Sequence, residues 1–268
     1  MNEKISKAIE NLSDAEIELV LKQIQHPEKT VNTVDHFFNQ RRTKFLVLSD
    51  PHIGSKYTRQ DIFNDVYKIA NKEKVEAIYI PGDIIEGMSN RDGHIYELET
   101  IGVSNQINQA ANLLSASPVP LFFTTGNHDE WSKNKANQGH LVGQDLESRI
   151  SHATFLGEYT ANIKFSDNVT MRLTHEGATA YALSYSGQKR INALEGGTKP
   201  SIIMNGHLHK LLYMNYRNIH YFEAGTLQSQ TPFMAMKGSP SMVGFWLLDV
   251  YHNKKGITQL KQTAFPYY

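Results

Sequence analysis

The chain has 268 residues, 40% of them hydrophobic, which is ample for the core of one large α/β domain or two small ones. It contains no cysteine, so disulfides, thiolate zinc sites and a thiol nucleophile are excluded, and any metal must be held by nitrogen and oxygen. Lysine plus arginine balances aspartate plus glutamate at 27 each, which excludes a molecule-wide field for polyanions and leaves only local attraction for nucleic acid.

The start, Met1-Asn2-Glu3-Lys4-Ile5, is polar and lacks the apolar core of a signal peptide. No run approaches the roughly 18 apolar residues of a membrane span, so a soluble, cytoplasmic protein without a membrane partner is expected. Residues 1–40 read as a short N-terminal helical extension. Ser13-Asp14-Ala15-Glu16 is a capping box, followed at helical spacing by Ile17, Val20, Leu21 and Ile24, and Ile5 to Leu12 supplies an earlier turn. The pair is too short to hold a core and is expected to pack on the main domain or a partner. A DNA-binding helix-turn-helix fits less well, because no compact third helix or basic recognition face comes after it.

Residues 41–268 read as one domain. Phe45-Leu46-Val47-Leu48, Ala77-Ile78-Tyr79-Ile80 and Leu121-Phe122-Phe123-Thr124 are short continuous apolar runs, as expected of strands buried on both faces. Helical spacing lies between them, near 59–72 and 104–115, giving βαβαβ. The second half alternates, with strands expected at about 161–165, 169–174, 202–205, 219–223 and 243–250 and a helix around 179–194. Two sheets flanked by helices fit this order better than a Rossmann sheet.

Each of the first three strands runs directly into a polar motif: Asp50 and His52 in S-D-P-H-I-G, Asp83 in P-G-D-I-I-E-G, and Asn127 in G-N-H-D-E. Functional groups in α/β sheets gather at the carboxyl ends of strands, where loops converge on one crevice. Asp50 and His52 share a face of extended chain, so both can reach one ion. Asp83 is a natural bridge between two ions roughly 3.5–4 Å apart, and Gly82 lets the backbone come close. His175 in T-H-E-G and His207 and His209 in G-H-L-H complete seven residues of ligand type, and the G-H-L-H spacing suits ligation.

The motif series D-x-H, G-D, G-N-H-D, a later His and G-H-x-H resembles the calcineurin-like metallophosphoesterase family, over roughly residues 44–225. The resemblance implies a four-layer αββα sandwich of two mixed β-sheets. It implies that one ion is held by Asp50, His52, Asp83 and His209 and a second by Asp83, Asn127, His175 and His207. His128 matches the family's non-ligand histidine, which contacts the phosphate or protonates the leaving group. Two divalent ions would neutralise the phosphate and acidify a water for in-line attack. Mn²⁺ is expected, with Fe²⁺, Zn²⁺ and Ni²⁺ also compatible with these ligands. Glu86 resembles the second acid of G-D-x-x-D patterns and is expected to orient His128, with Asp129 as rival.

The motif style is closer to DNA-repair nucleases and the small subunit of D-family DNA polymerases than to protein phosphatases. Gly87 stands where G-D-x-x-D-R-G phosphatases carry a phosphate-clamping Arg, which favours diesters. The expected function is therefore metal-dependent phosphodiester hydrolysis on DNA or RNA. A small-nucleotide or cyclic-nucleotide diesterase or a phosphomonoesterase is the alternative, and a non-catalytic scaffold subunit of a DNA-processing complex is the alternative of another class. Substrate contacts are expected from Arg91 and His94, and from Trp131 on a base with Lys133 or Lys135 on phosphate. Gln188, Lys189 and Arg190 form a basic turn that reads most simply as a solvated face. The apolar loop Phe233 to Gly238 and the tail Phe265-Pro266-Tyr267-Tyr268 suggest a lid, a base wedge or a homo-oligomer contact.

Overall fold

The computed structural model describes residues 32–35, 41–133, 139–177, 182–194 and 199–268. The helices expected before residue 31, Lys135 and the start of the helix expected at 179 lie outside the described residues.

The strands in chain order are β1 (Asn32–Asp35), β2 (Arg42–Val47), β3 (Ala77–Pro81), β4 (Leu121–Thr125), β5 (Ala153–Glu158), β6 (Thr160–Ser166), β7 (Val169–Thr174), β8 (Ile202–Asn205), β9 (Leu211–Tyr216), β10 (Ile219–Ala224), β11 (Gly244–Asn253) and β12 (Gly256–Pro266). The helices are α1 (Gln60–Glu73), α2 (Val103–Leu114), α3 (Asn127–Glu130), α4 (Val142–Arg149), α5 (Tyr185–Ala193) and α6 (Pro232–Met236).

Two six-stranded mixed sheets result. The first has the order β12-β11-β2-β3-β4-β5, with β2 to β5 parallel and β11 antiparallel to both β2 and β12. The second has the order β1-β6-β7-β8-β10-β9, with β7, β8 and β10 parallel. Strand periodicity explains the continuous apolar runs. On β2, Phe45 and Val47 face the second sheet, where they join Phe165, Met171, Leu173 and Phe222. Leu46 and the following Leu48 face the other way, onto Ile62, Phe63 and Val66 of α1 and Ile107 of α2. Helix α4 covers the same outer face through Val142 and Leu146. Helix α5 covers the outer face of the second sheet, where Ile191 packs with Ile203 and Tyr221. The layers are thus helix, sheet, sheet, helix, as the motif resemblance implied.

The helix patterns are explicit in their buried positions. Helix α1 buries Ile62, Phe63, Val66 and Ala70, and α2 buries Val103, Ile107, Ala110, Ala111 and Leu114, each one stripe at 3.6-residue spacing. Helix α1 stops at Lys74, which adopts φ 52° and donates its N–H to the carbonyls of Ala70 and Asn71.

Several elements were not expected from the sequence. Edge strand β12 is largely exposed, and its Gln259, Lys261 and Gln262 mask its alternation. Strand β1 lies in the stretch assigned to the N-terminal extension, yet it pairs in parallel with β6 and belongs to the compact unit 32–268. The expected apolar loop at 233–238 contains the one-turn helix α6, because Thr231 caps the Met234 N–H and Pro232 is pre-set for the first helical position. In the tail, Phe265 stacks on Phe245 at 4.9 Å and the Tyr267 hydroxyl donates to Asp65, so both are engaged within the chain. Among the described residues no helix is long and apolar enough to cross a membrane.

Candidate metal centre

All seven residues of ligand type stand just beyond strand ends: Asp50 and His52 after β2, Asp83 after β3, Asn127 after β4, His175 after β7, and His207 and His209 after β8. Strands of both sheets deliver them to one crevice. Asp50, His52, Asp83, His175 and His209 are all buried.

Two groups share Asp83. On one side His52 Nε2 lies 3.0 Å from His209 Nε2 and 3.7 Å from Asp83 Oδ2, and His209 Nε2 is 3.3 Å from Asp50 Oδ1. On the other, His175 Nε2 lies 3.1 Å from Asp83 Oδ2 and 3.3 Å from Asn127 Oδ1, which is 2.7 Å from His207 Nδ1. Three triads, Asp50-His52-His209, His52-Asp83-His128 and Asp83-His175-His207, each bring ligand atoms within 4.8 Å of one another. Imidazole nitrogens and carboxylate oxygens so close together fit divalent cations of the N/O-loving kind.

The backbone is strained where it delivers these groups. Asp50, His52, Asp83, His207 and His209 have φ of 49°, 47°, 49°, 76° and 52°, in the left-handed region that costs a non-glycine residue on the order of 1 kcal/mol or more. Hydrogen bonds between the loops hold them there. The Asp50 N–H donates to Gly82 O and that of His52 to Asp83 O, while the His207 N–H donates to the Asp50 carboxylate and that of His128 to Asp83 Oδ1. Glycine is required at two close approaches. A Cβ on Gly82, which has φ +88°, would stand 2.4 Å from His175 Nδ1, and one on Gly126 would stand 2.3 Å from Asp83 Oδ1.

The electrostatics follow from this crowding. Burial alone would raise the Asp83 pKa, but the imidazoles of His175, His128 and His52 outweigh it and hold the carboxyl well below its usual range. Burial would likewise lower His175, yet Asp83 and Asp50 carry it up to about 10. His52 is raised to about 9 against burial, chiefly by Glu86 and then by Asp83 and Asp50. Burial and the neighbouring charge of His175 press His207 down to about 4. A cation bound here would take over the role of the protons that these carboxylates favour on His52 and His175.

Glu86 is a buried hub. Its carboxylate accepts from Gln228 Nε2 at 2.8 Å, pairs with His94 Nε2 at 2.8 Å and lies 3.1 Å from His52 Nδ1. Burial opposes its ionisation, but His52, His94 and His128 hold it well below the carboxylate range. The His128 ring meets Glu86 through the backbone rather than the side chain. Its Nδ1 pairs with the backbone carbonyl of Glu86 at 2.8 Å, while the Glu86 carboxylate stands 3.7 Å away. Its face lies against Trp131 with ring centroids 3.9 Å apart. Burial and the charge of His52 lower its pKa despite Asp83 and Glu86. The Asp129 carboxylate accepts the backbone N–H groups of Gly126, Ile84 and Ile85 and so ties two strand-end loops together. Burial and Asp83 push that carboxyl up to about 7.

Of the expected substrate contacts, Arg91, His94 and Trp131 line one open cavity of ≈ 710 Å³ together with Asp83 and His128. Arg91 is paired with Glu97 at 2.7 Å. Lys133 is not in that lining, and its ammonium pairs with Glu130 and Glu158. Arg190, read from sequence as part of a solvated face, instead donates to Asn205 Oδ1 and to the carbonyl of Glu176, beside His207 and His175. Asn205 Nδ2 donates to Glu223, a buried carboxyl that desolvation raises to about 7. Sequence reasoning missed Asn205, Glu223 and Gln228. The signal for Asn205 was a polar residue closing an otherwise apolar strand.

A two-sheet sandwich with histidines and carboxylates converging at its strand ends defines a metallophosphoesterase fold. The chain belongs to the calcineurin-like phosphoesterase family, whose model matches residues 43–211. It is similar to the DNA polymerase II small subunit of Pyrococcus furiosus, with 23% identity over 234 residues, 71% of this chain and 38% of that protein. It is also similar to the DNA polymerase II small subunit of Halobacterium salinarum, with 24% identity over 249 residues, 78% of this chain and 49% of that one. The chain therefore spans less than half the length of these relatives. A solved structure of a putative 5′-nucleotidase from Staphylococcus aureus shares the fold, with a TM-score of 0.51 at 11% identity, over 84% of this chain and 54% of that one.

Proposed function

We propose that the protein is a dinuclear-metal-dependent phosphodiester hydrolase acting on nucleic acid. The observation that carries this is Asp83, whose Oδ2 lies 3.7 Å from His52 Nε2 and 3.1 Å from His175 Nε2, between the two ligand groups. Asp50, His52, Asp83 and His209 would hold one ion, and Asp83, Asn127, His175 and His207 the other, with Mn²⁺ expected. Bound divalent cations neutralise phosphate oxygens and acidify a water. The chain supplies the rest. His128 Nδ1 is taken by the Glu86 carbonyl, which leaves Nε2 for the departing alkoxide. Trp131 holds the ring in place, and an anionic phosphate beside it favours the protonated donor. A diester is favoured because Gly87 replaces the Arg of phosphatase motifs and the nearby Arg91 is committed to Glu97.

A second reading, a subunit of a DNA-processing assembly, is favoured by the DNA polymerase small subunits to which the chain is similar. The experiment is metal-reconstituted wild type and Asp83→Asn against a generic diester, a generic monoester, and single- and double-stranded DNA. The hydrolase reading expects diester turnover that Asp83→Asn abolishes. Equal rates for the two proteins on every substrate would end it, and metal-loaded but inert wild type would favour the subunit reading.

A further inference from the structure

The cavity extends well beyond the ligand groups. A wall formed by α6 and the turn after it continues from them, joined directly because the Met242 N–H donates to the carbonyl of His209. Phe233 and Met234 of this wall face the same space as Trp131, His128 and Asp83. Neither is loosely placed. Phe233 lies under the Arg91 guanidinium at 4.4 Å, and Arg91 is itself fixed by a two-point contact with Glu97. The Met234 N–H is capped by Thr231, and its sulfur accepts from the Ser241 hydroxyl. Lys237, the residue after α6, lies 5.7 Å from the Phe233 ring and also lines the cavity.

A phosphate needs cations and donors, and has no use for an aromatic and thioether wall. A nucleobase does, because every base presents a π-face that stacks on apolar or aromatic side chains. At ≈ 710 Å³ the space has room for a nucleotide unit, and a base inside a duplex keeps both faces stacked on its neighbours, so it must leave the stack before it can lie on this wall. Resting on the hydrolase reading above, we infer that Trp131, Phe233 and Met234 form a compartment for one unpaired nucleobase attached to the scissile phosphate. The substrate class is therefore a nucleotide diester presented as a single strand, an end or a dinucleotide. Lys237 puts a cation on the same lining, available to an adjoining phosphate of such a strand.

The experiment compares two esters with the same leaving group: thymidine 5′-monophosphate p-nitrophenyl ester and methyl p-nitrophenyl phosphate. The readout is the ratio of their kcat/KM values in metal-loaded wild type, Phe233→Ala and Met234→Ala, with thermal melts to confirm folding. Base stacking is worth about 1–3 kcal/mol, so the wild-type ratio should exceed unity by roughly 5-fold to 150-fold and fall at least severalfold in each variant. A ratio near unity in wild type, or one unchanged in both variants, overturns the compartment. If wild type hydrolyses neither ester, the hydrolase reading fails on its own, and calorimetry with the same two compounds decides the compartment. Tighter binding of the nucleotide ester that Phe233→Ala abolishes supports it, and equal binding overturns it.

Discussion

Gly126→Ala places one methyl group against the centre of the site. Its Cβ would stand 2.3 Å from Asp83 Oδ1, 2.6 Å from the Asp83 backbone nitrogen and 2.6 Å from His175 Nε2. Ordinary contact begins near 3.4 Å, so the carboxylate must give way by about 1 Å while backbone and imidazole block the two obvious escapes. Overpacking of this kind costs about 1–3 kcal/mol. In a domain of this size that lowers the melting temperature by roughly 2–4 °C per kcal/mol. A displacement of about 1 Å at a reacting centre can cost on the order of 100-fold in rate. The matched control is Gly143→Ala, whose Cβ would stand 2.5 Å from the Phe155 ring, in the packing of α4 on β5. Both variants should melt below wild type in chelator, but only Gly126→Ala should lose metal affinity by calorimetry and turnover of a generic diester. If Gly126→Ala binds metal and turns over like Gly143→Ala, residue 126 does not support the Asp83 carboxylate and the proposed role of Asp83 is wrong.

Three further outcomes are expected. His128→Ala should lose about 10²–10⁴-fold in kcat while keeping full metal stoichiometry; loss of metal by elemental analysis would make His128 a ligand instead, as its place in the triad with His52 and Asp83 allows. Arg190→Met removes the donors to Asn205 and to the Glu176 carbonyl. It should weaken one of two metal-binding events by about 10–100-fold and leave the other near wild type; a uniform fall in both would refute a role confined to His175 and His207. Glu223 has a folded pKa of about 7 against an ordinary 4.5. Its stabilising contribution is thus fully present below pH 4.5 and is lost as pH rises through 7, a change on the order of 3 kcal/mol. Glu223→Gln should therefore gain stability relative to wild type between pH 5 and pH 8 in urea unfolding with chelator, and a pH-independent difference would contradict the assignment.

The ligand types, their order and their strand-end positions were legible in the sequence, because β3, β4 and β8 and the end of β2 are continuous apolar runs, β7 alternates, and the residues after each strand must lie at its carboxyl end. Strands β7 and β8 match the expected spans residue for residue, and α1 and α2 match to within one residue. Burial on one stripe or both faces writes itself directly into residue order. Strand β12, polar at an edge, carries no such record. Nor do the partners of the charged groups. Glu86 was expected to orient His128; its backbone carbonyl meets His128 Nδ1, while its carboxylate serves His52, His94 and Gln228. Asp129 latches backbone amides, and Arg190 turns inward to Asn205.

The sequence by itself determined which donors exist and which strand delivers each. The tertiary structure decided which donors meet, that five of them are held at left-handed φ, and that an aromatic wall stands beside them. The physical reason is range. Burial patterns and strand ends are encoded by neighbours a few residues apart, whereas the contact between His52 and His209 joins positions 157 residues apart and exists only once two sheets have packed.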